Sequence, residues 1–346
     1  MGNARYSNLD DLFTDISSAL KDRGTRQNTG NWKYANLPIT NGMWTAVKYG
    51  TSVNRFVAIS GFSSNKTVYS SDGINWSSGT LPTAAAWYFL DYGLNKFIAV
   101  SASGHIAYSN NGINWTLATA PQATWASIAH SNTKFVALAG DTTMGKGNFS
   151  SNIITYSSDG INWTQGTLPE SLDWLVIGYV NGKFIVLSTT NKFAYSSDGI
   201  NWSIGTFNSS WISTWYSMYT GGNKIVAVGS NHVIYSNDGL TWGHVTIPKG
   251  PWHAVTYGTN AFMAITSNTN NDSNSVSYAM SSPNGLDWTL TTITADFYSG
   301  ITYGNDKFVA VSLQSPLVAY CTDVKAKTGP TGKIKPKEFP KFIGEL

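Results

Sequence analysis

The chain has 346 residues and a formal net charge of +3, with 12% charged and 14% aromatic residues, 33 Gly and 14 Trp. So small a charge excludes the basic footprint of a nucleic-acid binder, and a profile this aromatic and this poor in charge is the opposite of a disordered chain. The single cysteine, Cys321, excludes an internal disulfide framework, and no stretch reaches the roughly 20 apolar residues of a membrane span.

The first residues, "MGNARYSNLDDLF", lack a basic stretch followed by an apolar run, so no signal peptide is expected. Residues 7–22 then place Leu9, Leu12, Phe13, Ile16 and Leu20 on one face of a short helix, with Ser7 and Asp10 as its capping box. A lone helix of that length is marginal in water, so its apolar stripe is expected to dock on a partner. The expected organisation is an N-terminal helix and anchor segment over 1–28, a repeat domain over 29–322 and a C-terminal anchor tail over 323–346.

Within the repeat domain the octet "YSSDGINW" stands at 69–76, 156–163 and 195–202, with variants "YSNNGINW" at 108–115 and "YSNDGLTW" at 235–242. The repeat tryptophans Trp76, Trp115, Trp163, Trp202, Trp242 and Trp288 lie 39, 48, 39, 40 and 46 residues apart. Periods of this size with short β-type runs indicate propeller blades rather than helical solenoids. One unit, 44–82, contains four such runs: Trp44–Tyr49, Phe56–Ser60, Thr67–Ser70 and Asn75–Leu81. Further units start at Trp87, Trp125, Trp174, Trp215, Trp252 and Tyr298. The last lacks a fourth strand, and "NWKYANLP" (31–38) matches the fourth-strand text "NWTQGTLP" (162–169). The expected fold is therefore all-β: a seven-bladed β-propeller closed by an N-terminal strand, with a short N-terminal α-helix and a basic C-terminal tail.

The repeated turn has a physical reason. Gly73 takes positive φ, Asp72 accepts backbone N–H bonds, and Trp76 covers the apolar layer of the blade. With Ser70, Asp72, Gly73 and Trp76, the turn resembles the Asp-box (BNR) repeats of sialidase-like propellers, one residue shorter in spacing. Asn111 and the stretch "SSPNGLDW" (281–288) depart from it. The resemblance implies the fold and puts the boxes away from the catalytic face of that family.

The residues argue against sialidase chemistry. The family holds its substrate with three arginines, and this chain has four in all, of which Arg5, Arg23 and Arg26 precede the ring and only Arg55 lies in it. Lysine is a poor substitute for a bidentate fork. Glutamate is confined to Glu170, Glu338 and Glu345, and Asp91, Asp141, Asp173 and Asp296 remain outside the boxes. His105, His130, His232, His244 and His253 show no zinc spacing, and neither a nucleophile elbow nor a phosphate loop occurs. The reading is a non-enzyme with no catalytic residue, no metal and no cofactor.

In a propeller, the links into each inner strand and the second-to-third-strand loops share one face. That face carries the variable loops 61–66, 140–152 and 267–275 and the aromatic that opens each inner strand. Trp44, Trp87, Trp125, Trp174, Trp215, Trp252 and Tyr298 are expected to stack on a ligand there, with Lys146, Asn148, Asn270, Asn271 and Asp272 as polar contacts. The competing reading of the rings is packing between blades.

The C-terminal tail carries Lys327-Thr328-Gly329, Lys333-Ile334-Lys335-Pro336 and Glu338-Phe339-Pro340. With the N-terminal helix it resembles a small module of phage tail and other virion proteins. That resemblance implies anchoring through Lys333, Lys335, Phe339 and Phe342 alongside the helix, and a location on a virion assembled in the host cytoplasm. The functional expectation is a virion protein, of a tail fibre or tail tip, whose propeller presents a face to a host-surface glycan or protein and whose tails dock to other virion proteins. Two alternatives stand beside it: a purely structural capsid or tail decoration protein, and a sialidase-like glycoside hydrolase.

Overall fold

The structure is a computed structural model and describes residues 32–140, 150–211, 213–230, 232–247, 250–266, 277–294 and 296–322. The expected N-terminal helix and basic C-terminal tail, with all their anchoring residues, lie outside these.

Seven four-stranded antiparallel sheets form the blades. A single strand, β1 (Lys33–Asn36), precedes blade 1, which is β2 (Trp44–Gly50), β3 (Arg55–Ser60), β4 (Ser64–Ser70) and β5 (Ser77–Ala85). Blade 2 is β6 (Trp87–Gly93), β7 (Lys96–Ser101), β8 (Ile106–Ser109) and β9 (Thr116–Leu117). Blade 3 is β10 (Trp125–His130), β11 (Phe135–Ala139), β12 (Ser151–Ser157) and β13 (Thr164–Leu172). Blade 4 is β14 (Trp174–Val180), β15 (Lys183–Ser188), β16 (Lys192–Ser196) and β17 (Ser203–Thr206). Blade 5 is β18 (Trp215–Gly221), β19 (Lys224–Gly229), β20 (His232–Ser236) and β21 (Gly243–Thr246). Blade 6 is β22 (Trp252–Tyr257), β23 (Phe262–Thr266), β24 (Ser277–Ser282) and β25 (Thr289–Ile293). Blade 7 has β26 (Tyr298–Gly304), β27 (Lys307–Ser312) and β28 (Leu317–Thr322), and β1 is its fourth strand.

The expected closure is present: Lys33 pairs with Tyr320, Tyr34 with Ala319, Ala35 with Val318 and Asn36 with Leu317. The chain ends meet in one sheet, and β1 covers the outer edge of β28 along this stretch. The second strand of each blade reads as a continuous apolar run because it is buried on both faces; in β3, Phe56–Ser60 are all buried. Outer strands alternate instead, as in β5, where Leu81 and Ala85 turn inward between exposed residues.

The box turn forms in six blades, from the hydrogen bonds the sequence suggests. In blade 3, Ser157 Oγ accepts the Gly160 N–H (2.9 Å), and Asp159 Oδ1 accepts those of Ile161 and Asn162 (both 2.8 Å). Gly160 sits at φ +72°, a conformation that only glycine adopts freely. The Asn162 and Ile161 N–H groups hold the Asp159 carboxyl well below the usual carboxylate range. Where the aspartate is replaced, an amide oxygen takes its place: Asn111 Oδ1 accepts from Ile113 and Asn114, and Asn284 Oδ1 from Leu286 and Asp287. The turn therefore requires an acceptor rather than a charge. It also consumes Asn75 and Trp76, so the fourth strand of blade 1 starts at Ser77 and not at Asn75.

Two outcomes follow for stability. Asp159→Asn is expected to leave the melting midpoint nearly unchanged, whereas Asp159→Ala, which strands two N–H groups, is expected to cost about 1 kcal/mol by denaturant titration. A chain lacking residues 1–36 is expected to lose at least ~2 kcal/mol and to associate through the exposed edge of β28, read by calorimetry and sedimentation. A monomer of unchanged stability would contradict the closure.

Candidate functional site

The seven inner strands β2, β6, β10, β14, β18, β22 and β26 surround an axial channel. Along it lie cavities of about 80, 110 and 410 Å³, each sharing lining residues with the next. The smallest lies at the loop-side mouth, among Thr45, Phe62, Tyr88, Tyr216, His253 and Leu313. Phe62, half-exposed, meets Tyr88 edge-on at 5.4 Å, and His253 stacks on Tyr216 at 4.6 Å. Burial lowers the His253 imidazole to about 4, which makes this mouth uncharged and largely apolar at neutral pH.

The expected stacking ring is corrected here. Trp44, Trp87, Trp125, Trp174 and Tyr298 have no exposed surface, and Trp252 and Trp215 have 1% and 2%. Each is the centre of an apolar cluster shared by two successive blades. Trp87, for instance, packs on Val57, Ile59, Leu81 and Ala85 of the blade before it. Rings this enclosed offer no stacking face to a ligand, so these seven residues are inter-blade packing, although Trp215 also borders the smallest cavity. Lys146, Asn148, Asn270, Asn271 and Asp272 lie outside the described residues.

The largest cavity opens at the other mouth, on the side of the box turns, and its volume is within the ~300–1,000 Å³ usual for small-molecule sites. Three charged side chains from blades 1, 2 and 3 converge in it. Asp91 Oδ2 lies 2.7 Å from His130 Nδ1, and Asp91 Oδ1 lies 3.5 Å from Lys48 Nζ. The Asp91 side chain is 8% exposed, against 26% for Lys48 and 38% for His130, so the carboxylate sits behind and both cations face the recess. Burial pushes the Asp91 carboxyl up, but His130 and then Lys48 outweigh it and hold it at about 2. For His130 burial alone would lower the imidazole, yet the charge and hydrogen bond of Asp91 leave it raised. Lys48 also lies over the Tyr219 ring at 5.0 Å.

A ring of aromatics does circle this mouth. The sixth residue of the inner strands is Tyr49, Tyr92, His130, Tyr179, Tyr257 and Tyr303 in every blade but the fifth, where Thr220 stands. All are partly exposed. Glycines of the preceding blade make the shelves they rest on: a Cβ at Gly304 would collide with Tyr49, at Gly50 with Tyr92, at Gly93 with His130 and at Gly221 with Tyr257. Tyr92 is bonded to Ser52, and Tyr303 lies 2.7 Å from Thr259, each partner being in the turn of the blade before. The sequence reading noted Asp91 and His130 singly and passed over Lys48. The signal that places them is the Tyr-Gly that recurs at the end of four inner strands, where blade 3 has His130-Ser131.

The other histidines go elsewhere. His232 and His244 face each other at 2.8 Å on the outer strands of blade 5, with Trp211 stacked on His244 at 5.4 Å. Among the described residues no three His, Cys, Asp or Glu side chains converge as metal ligands.

No protein-family model matches the chain, and no curated protein matches its sequence. Solved structures do match its fold. A catalytically inactive variant of virginiamycin B lyase from Staphylococcus aureus, solved with quinupristin, is similar at 11% identity and a TM-score of 0.69, over 85% of this chain and 99% of that one. The WD40 domain of Neurospora crassa Pan2 is similar at 6% identity and a TM-score of 0.62, over 86% and 98%. The computationally designed Ika8 protein follows at 9% and 0.58, over 83% and 98%. At such identities the likeness shows the propeller fold alone. It nonetheless overturns one expectation. The sequence reading makes this chain a non-enzyme, and a lyase stands on the same fold, so neither the architecture nor the missing sialidase residues exclude catalysis.

The ion pair sets a pH window. Asp91, held at about 2, contributes stability above its ordinary value of ~4 that is lost as pH falls through the held value. His130, raised, contributes fully below ~6.5, and that contribution is lost as pH rises through the raised value. By NMR the His130 ring is expected to titrate above ~6.5. Asp91→Asn should lower its midpoint, and so should Gly93→Ala, whose new Cβ displaces the ring. A wild-type midpoint at or below ~6.5 would refute the pair.

Proposed function

We propose that the chain is a recognition propeller of a phage or phage-like particle, taking a host-surface glycan in the recess ringed by tyrosines. The observation that carries this reading is the 410 Å³ cavity itself: aromatic side chains at its rim and a charged, hydrogen-bonding cluster in its wall. Sugars present an apolar C–H face that stacks on aromatic rings and a hydroxyl edge that needs donors and acceptors, and this recess offers both. The site stands at the opposite mouth from the one the sequence favours, because the rings expected there are enclosed.

Docking to other virion proteins is assigned to segments 1–28 and 323–346, on the strength of their resemblance to the virion module. Both described ends, Trp32 and Thr322, leave blade 7 at its periphery on the box-turn side. The recess opens on the axis of that side, so attachment would be at the rim and recognition at the centre.

The full chain on a glycan array is expected to give hits that weaken about tenfold for Tyr92→Ala and Tyr179→Ala, a loss of ~1.4 kcal/mol each. Trp125→Ala should abolish binding only by unfolding the ring. An array without hits, together with unaltered host adsorption by particles carrying the tyrosine variants, would defeat the reading.

A further inference from the structure

In the glycan reading the charged cluster is a source of hydrogen bonds, and the sign of its charge goes unused. Lys48 and His130 both approach the one carboxylate of Asp91, yet neither is exhausted by it. The Lys48 ammonium has three donors, and His130 commits only Nδ1. The more exposed parts of the cluster are these two cations, while the balancing carboxylate is nearly enclosed. With the imidazole protonated, the cluster carries one positive charge in excess, in a wall otherwise made of uncharged groups. Among the described residues, Lys48, Asp91 and His130 are the charged side chains that line the cavity.

We infer that the ligand of this recess is an acidic sugar of the uronic type, its carboxylate held between Lys48 Nζ and His130 Nε2. This rests on the glycan reading above and narrows it. A single negative charge restores neutrality, whereas a phosphate dianion would leave a net negative charge beside the enclosed Asp91. Charge-assisted bonds from two cations to one carboxylate are the stronger kind, and partial burial spares them from screening. Because one of the cations is an imidazole, binding depends on pH. The titratable groups that share the cavity with His130 are Asp91 and Tyr92 on β6, Lys48 and Tyr49 on β2, Tyr179 on β14, Tyr219 on β18 and Tyr303 on β26. Among these groups the imidazole is the one whose charge changes across neutral pH.

The test uses the full chain, titrated calorimetrically with glucuronate and with glucose at pH 5.5 and 8.5; the glucuronate carboxylate is ionised at both. Glucuronate is expected to bind about tenfold more tightly than glucose at pH 5.5, as one charge-assisted contact implies, and the advantage to shrink severalfold at pH 8.5. Lys48→Met and His130→Gln, each checked for an unchanged near-UV spectrum, should each reduce the preference, and His130→Gln should also remove its pH dependence. Equal affinity for the two sugars, or a preference indifferent to both substitutions, overturns the acidic-sugar assignment and leaves the glycan reading standing. Failure of both sugars and of every arrayed glycan overturns the two together.

Discussion

No blade of this propeller can bury its own apolar faces; each is covered by its two neighbours. The described core consists of seven clusters, and each mixes residues of two successive blades around one inner-strand aromatic. Trp44 closes the circle: it packs with Val47, Phe56, Ala58 and Val68 of blade 1 against Val309, Val311 and Val318 of blade 7, with Leu37 just beyond β1. The four residue pairs between β1 and β28 hold that last interface in register. In a linear stack the end blades would each keep one wet face; in a ring none does. Everything in the channel depends on this closure, because inner strands can converge on an axis only if the circle is complete.

The repeat, the blade count, the closure and the box turn were legible because each is written in short sequence periods. The direction of the aromatics was not, and the reason is a single residue. Every inner strand changes register directly after its first aromatic, as between Trp44 and Ala46 or Trp87 and Phe89. Strict alternation from Trp44 would group Ala46 and Lys48 with it. The bulge inverts that parity: Trp44, Val47 and Tyr49 join the cluster shared with blade 7, while Ala46 packs on the cluster shared with blade 2 and Lys48 lines the channel. The sequence reading put the rings at a mouth because each opens its inner strand on the loop side, and it left Lys48 unremarked. Bulges of this kind carry no side-chain signature of their own, so the sequence has no means of announcing them.

The Lys48–Asp91–His130 cluster is costly in a chain with so few charges. A carboxylate this enclosed is tolerated only when its desolvation is offset by partners, and one cation at 2.7 Å with a second at 3.5 Å does that. Because the three residues come from three consecutive blades, the cluster also ties their inner strands together. A purely structural tie, however, would be better served by apolar residues of similar volume. Perturbed titration inside a cleft is the pattern expected where a protein meets a ligand.

Repetition allows a sharper statement. Along the fifth position of the inner strands stand Lys48, Asp91, Ala129, Gly178, Tyr219, Thr256 and Thr302, and along the sixth Tyr49, Tyr92, His130, Tyr179, Thr220, Tyr257 and Tyr303. The fold needs only that the sixth residue lie on a small shelf, a need that tyrosine meets in five blades. The departures are His130 for a tyrosine, charges at Lys48 and Asp91, and the aromatic of blade 5 moved one place to Tyr219, where Lys48 lies over its ring. All of these departures border one cavity. Twelve of these fourteen positions line the cavity, so what marks these four is their chemistry rather than their adjacency, and a site built onto a repeating scaffold must break the repeat where it is built. The consensus of this chain makes the ring, and its exceptions make the recess.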